Sequence, residues 1–434
     1  MEKWSLWYAF LKQFSKIILY GMYRRRISVS YEAELPKNAA IIFIANHQNA
    51  LLDPGLMTIN LPISQQPIFI TRGDIFEKSF LRKLFTSFKM LPIFRKRDGV
   101  NTIERNQETF AKCSQLLQKK ASIMIFPEGN QMMRKHLRPM KKGLAYMAFE
   151  AAKATDFQET IYIVPAGLEY ENYVKVGRRV AVRFGKAISI NSYYEQYQKD
   201  EKAAIENLTN ELANMISPYI IDVKHIDGYE KIMAIYKVCE PFLLEKKEKD
   251  SDILVKKQSL IQKIENVYTT DSETFESLAT QAQKFLESMK TTDFRPDTWK
   301  NAKHIFLLIP IFLMLILGLP FYIYGLLNNF LPYHISHFIA TKKIKNLNFY
   351  ASALFVLNLL LFPTFYIFQT FVVSCFTNSY MLILLYLASL PITFLYTPFY
   401  QEQLKKAVAN WRFLSWRKKN EIILAIPHQI HNSL

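Results

Sequence analysis

The chain has 434 residues, half of them hydrophobic and 14% aromatic, with a formal net charge of +18. Such a length accommodates two or three domains, and so much apolar sequence argues against a soluble nucleic-acid binder. A basic, aromatic-rich, apolar chain suits an anionic membrane surface instead. The three cysteines, Cys113, Cys239 and Cys375, are far apart and lack CxxC spacing, so neither a disulfide framework nor a zinc site is expected. With 12 glycines and no Gly-rich phosphate loop, a nucleotide cofactor is not expected either.

Residues 1–26 lack the apolar core and small-residue cleavage site of a signal peptide. On a helical wheel Trp4, Trp7, Leu11, Phe14 and Ile18 share one face, while Ser5, Lys12 and Lys16 share the other; Arg24, Arg25 and Arg26 follow. The pattern predicts an interfacial amphipathic helix on anionic lipid. An ordinary surface helix has similar periodicity.

From 27 to 191 short apolar runs alternate with helical stretches. The segments 38–45, 67–71, 122–126, 160–165 and 179–184 read as strands, and 78–88, 102–119 and 142–152 as helices. Several strands are apolar without polar alternation, which predicts an α/β domain around a largely parallel sheet covered on both faces. Between 192 and 303 strand signals vanish and apolar residues recur at helical spacing, as in Ile205, Leu208, Leu212 and Ile216. This is expected to be a helical segment, with a charged stretch over 245–252.

The region 304–434 reads as membrane sequence with a basic tail. Segments 351–373 and 380–399 are long enough to span a bilayer and contain no Lys, Arg, Asp or Glu. The segment 305–327 is interrupted by Pro310, Gly318 and Pro320. A re-entrant hairpin there would keep Lys342, Lys343 and Lys345 and the basic tail on the cytoplasmic side.

Four motifs carry chemistry. Asn46-His47-Gln48-Asn49-Ala50-Leu51-Leu52-Asp53-Pro54 follows an apolar strand, where a histidine serves as a general base and a nearby carboxylate holds its tautomer. Without a serine or cysteine nucleophile at hand, the histidine would activate an acceptor hydroxyl. A structural histidine has the same spacing. Phe126-Pro127-Glu128-Gly129-Asn130 places a carboxylate and a glycine at another strand end, where a solvated turn is the bland alternative. Arg95, Lys96 and Arg97 follow Leu91-Pro92-Ile93-Phe94 and could grip a phosphate. Arg138-Pro139-Met140-Lys141-Lys142-Gly143 precedes a predicted helix. Solvated loops carry such cationic runs as well.

In this order the segments, with Ile163-Val164-Pro165-Ala166-Gly167 and Val182-Arg183-Phe184-Gly185-Lys186 behind them, resemble the glycerol-3-phosphate and 1-acylglycerol-3-phosphate (lysophosphatidate) acyltransferase family over about residues 30 to 190. The gap of five residues between His47 and Asp53, and Asn130 after the glycine, depart from its commoner pattern. The resemblance implies His47 as general base with Asp53 as its partner. It implies Arg95 and Arg97 on the acceptor phosphate, Glu128 and Gly129 shaping the acceptor site, Pro165 lining it, and Arg72 as an auxiliary cation. It implies no metal and no bound cofactor; acyl-CoA or an acyl carrier protein is a co-substrate, and the acceptor is a glycerol phosphate or lysophospholipid. The expected protein is an integral membrane enzyme whose catalytic domain faces the cytoplasm. A lysophospholipid-remodelling enzyme and a non-catalytic membrane scaffold share these features. A small transporter does not fit so few spans without charges.

Overall fold

The computed structural model describes residues 3–24, 26–76, 79–94, 102–243, 248–291, 309–417 and 421–434. The chain forms two units, one of residues 1–220 with 337–359 and the other of 221–336 with 360–434.

The first unit begins with α1 (Leu6–Met22) and β1 (Ile27–Tyr31). Then come β2 (Ala40–Ala45), α2 (Leu52–Asn60), β3 (Ile68–Arg72), α3 (Ser79–Ser87), β4 (Met90–Ile93), α4 (Thr102–Gln118) and β5 (Ser122–Ile125). It continues through α5 (Gly143–Lys153), β6 (Ile161–Tyr170), β7 (Val180–Phe184), β8 (Ile188–Ser189), α6 (Tyr194–Lys199) and α7 (Glu201–Ile216). The sheet runs β1-β7-β6-β2-β5-β3-β4, with β8 beside β6. Only β6–β7 and β6–β8 are antiparallel. The strands β2, β3, β4, β5 and β6 are mutually parallel, so their C-terminal ends open on one edge.

Every residue of β2 is buried, as expected of a strand covered on both faces. Ile42, Ile44, Ile123, Ile125, Ile161 and Ile163 pack with α4, α5 and α7. The alternate residues Ile41 and Phe43 point the other way, where Phe43 meets Phe184 edge-on at 6.3 Å. The predicted strands and helices are found, and β6 runs on to Tyr170, beyond the expected end at 165.

The N-terminal helix forms, but its faces differ from the helical-wheel reading. Lys12 and Ile18 are buried, and the exposed ridge is Leu6, Trp7, Phe10 and Ile17. The cause is a set of carbonyls on the loop after α2. Lys12 Nζ donates to Pro62 O at 2.8 Å and Gln65 O at 3.0 Å. Ser5 and Gln66 exchange hydrogen bonds at 2.8 Å, and Tyr8 donates to Pro67 O at 3.1 Å. Burial, with the Lys16 charge close by, pushes the Lys12 amine down to about 7.

In the second unit α8 (Tyr229–Leu243), α9 (Asp250–Thr270), α10 (Ser272–Thr291) and α14 (Glu421–Asn432) share a core that includes Ile235, Ile264, Phe285 and Ile430. The long apolar helices are α11 (Ile309–Lys343), α12 (Tyr350–Ser374) and α13 (Tyr380–Arg417), with α11 and α12 each divided between the units. All three are long and apolar enough to cross a membrane. The hairpin expected over 305–327 does not form, because α11 continues through Pro320 and Pro332. The Asn328 carbonyl, freed by Pro332, accepts from Gln369 Nε2 of α12 at 2.8 Å. Gly318 and Gly325, seven apart on one face of α11, let α13 approach closely. A Cβ on Gly318 would lie 2.2 Å from the Tyr396 hydroxyl, and one on Gly325 would lie 2.3 Å from Thr397 Oγ1. Tyr366 donates to Asn329 Oδ1 at 2.6 Å, adding a polar tie between α12 and α11.

A Cβ on Gly167 would sit 2.1 Å from the Tyr219 carbonyl oxygen, and backbone cannot yield as a flexible side chain can. Gly167→Ala should therefore lower stability by about 2 kcal/mol. Gly55→Ala, whose nearest neighbour would be Leu19 Cδ1 at 3.6 Å, should be neutral or stabilising. Thermal melts of both variants in detergent test the contrast; equal melting temperatures would refute it.

Candidate active site

The parallel strands bring the motifs to one sheet edge, the usual place for a site in an open α/β sheet. His47 lies two residues beyond β2 and Glu128 three beyond β5, while Arg72 ends β3. Phe94 follows β4, and its backbone N–H and C=O are both held by the Asn106 amide, at 2.8 and 2.7 Å. Arg95 and Arg97 themselves lie outside the described residues.

Asp53 sits in the first turn of α2, where the helix N-terminus favours a negative charge, and it is fully buried. Its Oδ2 accepts from His47 Nδ1, Gln48 N and Asn49 N, each at 2.7 Å. Its Oδ1 accepts from the Tyr170 hydroxyl at 2.6 Å. A carboxylate can only accept, so the network assigns the ring proton to Nδ1 and leaves the Nε2 lone pair for a substrate. The imidazole stacks on Phe126 with centroids 4.3 Å apart. Packing and hydrogen bonding thus fix ring position, tautomer and the one nitrogen available for chemistry.

Glu128 is buried and fully engaged. Its Oε1 accepts from His47 N at 2.7 Å and its Oε2 from Arg138 Nε at 2.8 Å. Burial pushes its carboxyl up, opposed by the His47 N–H and the Arg138 guanidinium. Gly129 follows at φ +74°, a backbone state that glycine adopts without cost. The rest of this loop is tied down as well: Met132 N donates to His47 O at 3.0 Å, and Gln48 Nε2 to Arg134 O at 2.9 Å. Lys135 and Arg183 both pair with Glu169, at 3.3 and 2.9 Å. The structure thus places Glu128 as the brace of the histidine loop.

Arg72 is ion-paired with Asp74 two residues on, a partner that the motif reading left out. Pro165 is buried inside β6 opposite Ile44, so it packs within the sheet. The motif reading missed Tyr170, which holds the second oxygen of Asp53. It also missed Asn46, whose side chain exchanges hydrogen bonds with Leu168 at 2.9 and 2.8 Å. Pro165, Ala166, Gly167 and Glu169 are poor strand formers, so propensity gave no signal for the longer strand. Buried polar atoms near His47 without a hydrogen-bond partner are Gln48 Oε1, Asn49 Oδ1 and Arg138 Nη2. Among the described residues no group of three or more His, Cys, Asp or Glu side chains could hold a metal.

If Arg138 compensates the buried Glu128 charge, Arg138→Met should cost about 2–4 kcal/mol at pH 8. Without the guanidinium the carboxyl value climbs further. The stability of the protonated form is present at acidic pH and lost as pH rises through that value. The deficit should therefore shrink toward pH 5; denaturation at both pH values measures it, and a pH-independent deficit would contradict the assignment.

Residues 26–169 match the family model described as Acyltransferase. Glycerol-3-phosphate O-acyltransferase 2 of Saccharomyces cerevisiae is 29% identical over 137 residues, which are 31% of this chain and 18% of that protein. An uncharacterized acyltransferase of Schizosaccharomyces pombe is 26% identical over 166 residues, 38% of this chain and 22% of that protein. The chain therefore spans about a fifth of the length of these two curated relatives. The crystal structure of the 1-acyl-sn-glycerophosphate acyltransferase of Thermotoga maritima is 17% identical, with a TM-score of 0.28, covering 46% of this chain and 79% of that one. Residues 26–169, which match the Acyltransferase model, hold the His47–Asp53 pair and the Glu128 loop.

Proposed function

We propose that the protein is a membrane-bound O-acyltransferase that moves a fatty-acyl group from acyl-CoA or acyl carrier protein to glycerol 3-phosphate or 1-acylglycerol 3-phosphate. The observation that carries this reading is the His47–Asp53 contact of 2.7 Å, which leaves Nε2 as the only ring nitrogen free to accept a proton. In the reaction Nε2 takes the proton of the acceptor hydroxyl as its oxygen attacks the thioester carbonyl. Asp53 stabilises the imidazolium that forms. The tetrahedral intermediate collapses, the C–S bond breaks, and the imidazolium returns the proton to the leaving thiolate. An ester and a free thiol result. Arg95 and Arg97 would hold the acceptor phosphate, as the resemblance to the acyltransferase family implies.

His47→Ala should reduce acyl transfer by at least a thousandfold without loss of expression or membrane attachment. Arg95→Ala should raise the acceptor KM by one to two orders of magnitude, for the loss of a charged hydrogen bond of about 1.5–3 kcal/mol, with the donor KM unchanged. The assay uses purified protein, labelled glycerol 3-phosphate, lysophosphatidate or lysophosphatidylcholine, and each donor in turn. Near-normal turnover by His47→Ala would end the mechanism. Transfer to lysophosphatidylcholine alone would make it a remodelling enzyme.

We further propose that only α12 and α13 cross the membrane. Among the described residues up to Thr291 no helix is long and apolar enough to cross. Residues 337–359, at the junction of α11 and α12, belong to the same compact unit as 1–220. On this basis α11 begins and ends on one side, and lies in the near leaflet. The exposed Leu6, Trp7, Phe10 and Ile17 of α1 would dip into the lipid surface. The catalytic domain would face the cytoplasm, where acyl thioesters are made, and the loop holding the exposed Cys375 would lie outside. In intact cells a membrane-impermeant thiol reagent should label Cys375 but not the buried Cys113 and Cys239. Labelling that requires permeabilised cells would overturn this topology.

A further inference from the structure

The loop between His47 and Asp53 is closed by a residue three hundred positions away. Helix α2 starts without a cap of its own: its N-cap residue is Leu51, in helical backbone, with no side-chain hydrogen bond to the first turn. Serine, threonine, asparagine or aspartate normally serves there. The chain reaches this point through Ala50 at φ +31°, a backbone state that a residue with a Cβ rarely adopts. The strain follows from loop length. Asp53 Oδ2 draws in the amides of Gln48 and Asn49 at 2.7 Å, and the remaining residues must turn sharply to bring the carboxylate back beneath the imidazole.

The missing cap comes from Ser352, in the first turn of α12. Its Oγ accepts from Leu51 N at 3.0 Å and from Leu52 N at 3.3 Å, and donates to Asn49 O at 3.5 Å. One hydroxyl thus grips the chain on both sides of Ala50. Ser352 is itself buried, as are Ala351, Leu354 and Phe355 around it, and Phe355 packs near Gly55 of α2. The contact lies within the compact unit that joins 337–359 to 1–220.

We infer that Ser352 is a positioning residue for acyl transfer, capping α2 from a membrane helix and holding the strained loop in the form that sets Asp53 under His47. The acyltransferase domain, residues 26–169, is then incomplete without the start of α12. This rests on the reading of His47 and Asp53 as the reaction centre.

The test uses the full chain in phosphatidylglycerol–phosphatidylcholine vesicles, with the donor and acceptor that the wild type turns over. Ser352→Ala should lower kcat about tenfold, the effect of one lost helix cap, with both KM values within twofold of wild type. Ser352→Thr, which keeps the hydroxyl, should retain at least half of the activity. Hydrogen exchange supplies a reading that needs no turnover: the amides of residues 50–53 should exchange at least tenfold faster in Ser352→Ala, with β2 and β5 unchanged. Wild-type kcat in Ser352→Ala, an equal loss in Ser352→Thr, or unaltered exchange at 50–53 would each overturn the inference. Wild-type protein that transfers no acyl group to any acceptor would sink the proposed function instead, and exchange would still decide the role of Ser352.

Discussion

A carboxylate with no access to water must find its hydrogen bonds inside the protein, and the α/β sheet edge is arranged around that demand at Asp53. Three donors reach one oxygen and a phenol reaches the other. Two of the donors are backbone amides, so the charge dictates the path of the main chain from Gln48 to Asn49. The third is the imidazole, so it dictates the tautomer. The fourth, Tyr170, ties the arrangement to the end of the longest strand, and burial beside the Asp53 charge keeps its hydroxyl protonated. Each donor satisfies the buried charge and is itself oriented by it.

A second charge is handled in the same way beside the first. Glu128 sits behind the histidine backbone with Arg138 across from it, and Glu169 gathers Lys135 and Arg183 a short distance along the sheet. The loop after β5 is therefore pinned by ion pairs, with the turn at Gly129 allowing the chain to reverse above the strand. Ion pairs of this kind add little to net stability when compared with apolar packing, but they discriminate sharply between one loop arrangement and its neighbours.

Much of this was legible in the residues. Apolar runs such as 40–45 and 122–125 identify strands covered on both faces, and once those strands are parallel their motifs must gather at one edge. The spacing of His47 and Asp53 fitted a structural histidine as well as a base and its partner, and only the order of the motifs together favoured the pair. What failed to show has a common cause, because periodicity reports the face a helix turns to an average medium, not to particular atoms. Lys12 looked solvent-facing, yet two carbonyls after α2 accept from it in the interior. Pro320 looked like a turn, yet α11 runs straight on, and neighbours such as Tyr396 reach the backbone beside it: its hydroxyl donates to Gly318 O at 3.1 Å. Tyr170 and Ser352 belong to no local pattern, since their partners lie 117 and about 300 residues away.

The end of β6 carries an error check on its own assembly. Leu168 and Tyr170 point to one face and Glu169 to the other, and antiparallel pairing sets Gly167 against Arg183 and Leu168 against Val182. A slip by one residue would aim Glu169 at Asp53, bringing two carboxylates together in a dry pocket. It would also leave Lys135 and Arg183 facing Leu168 in place of Glu169. Neither half of that exchange can be relieved by a small shift of side chains, because the sheet is closed on both faces there. Charge thus opposes the misregistered pairing before any question of turnover arises.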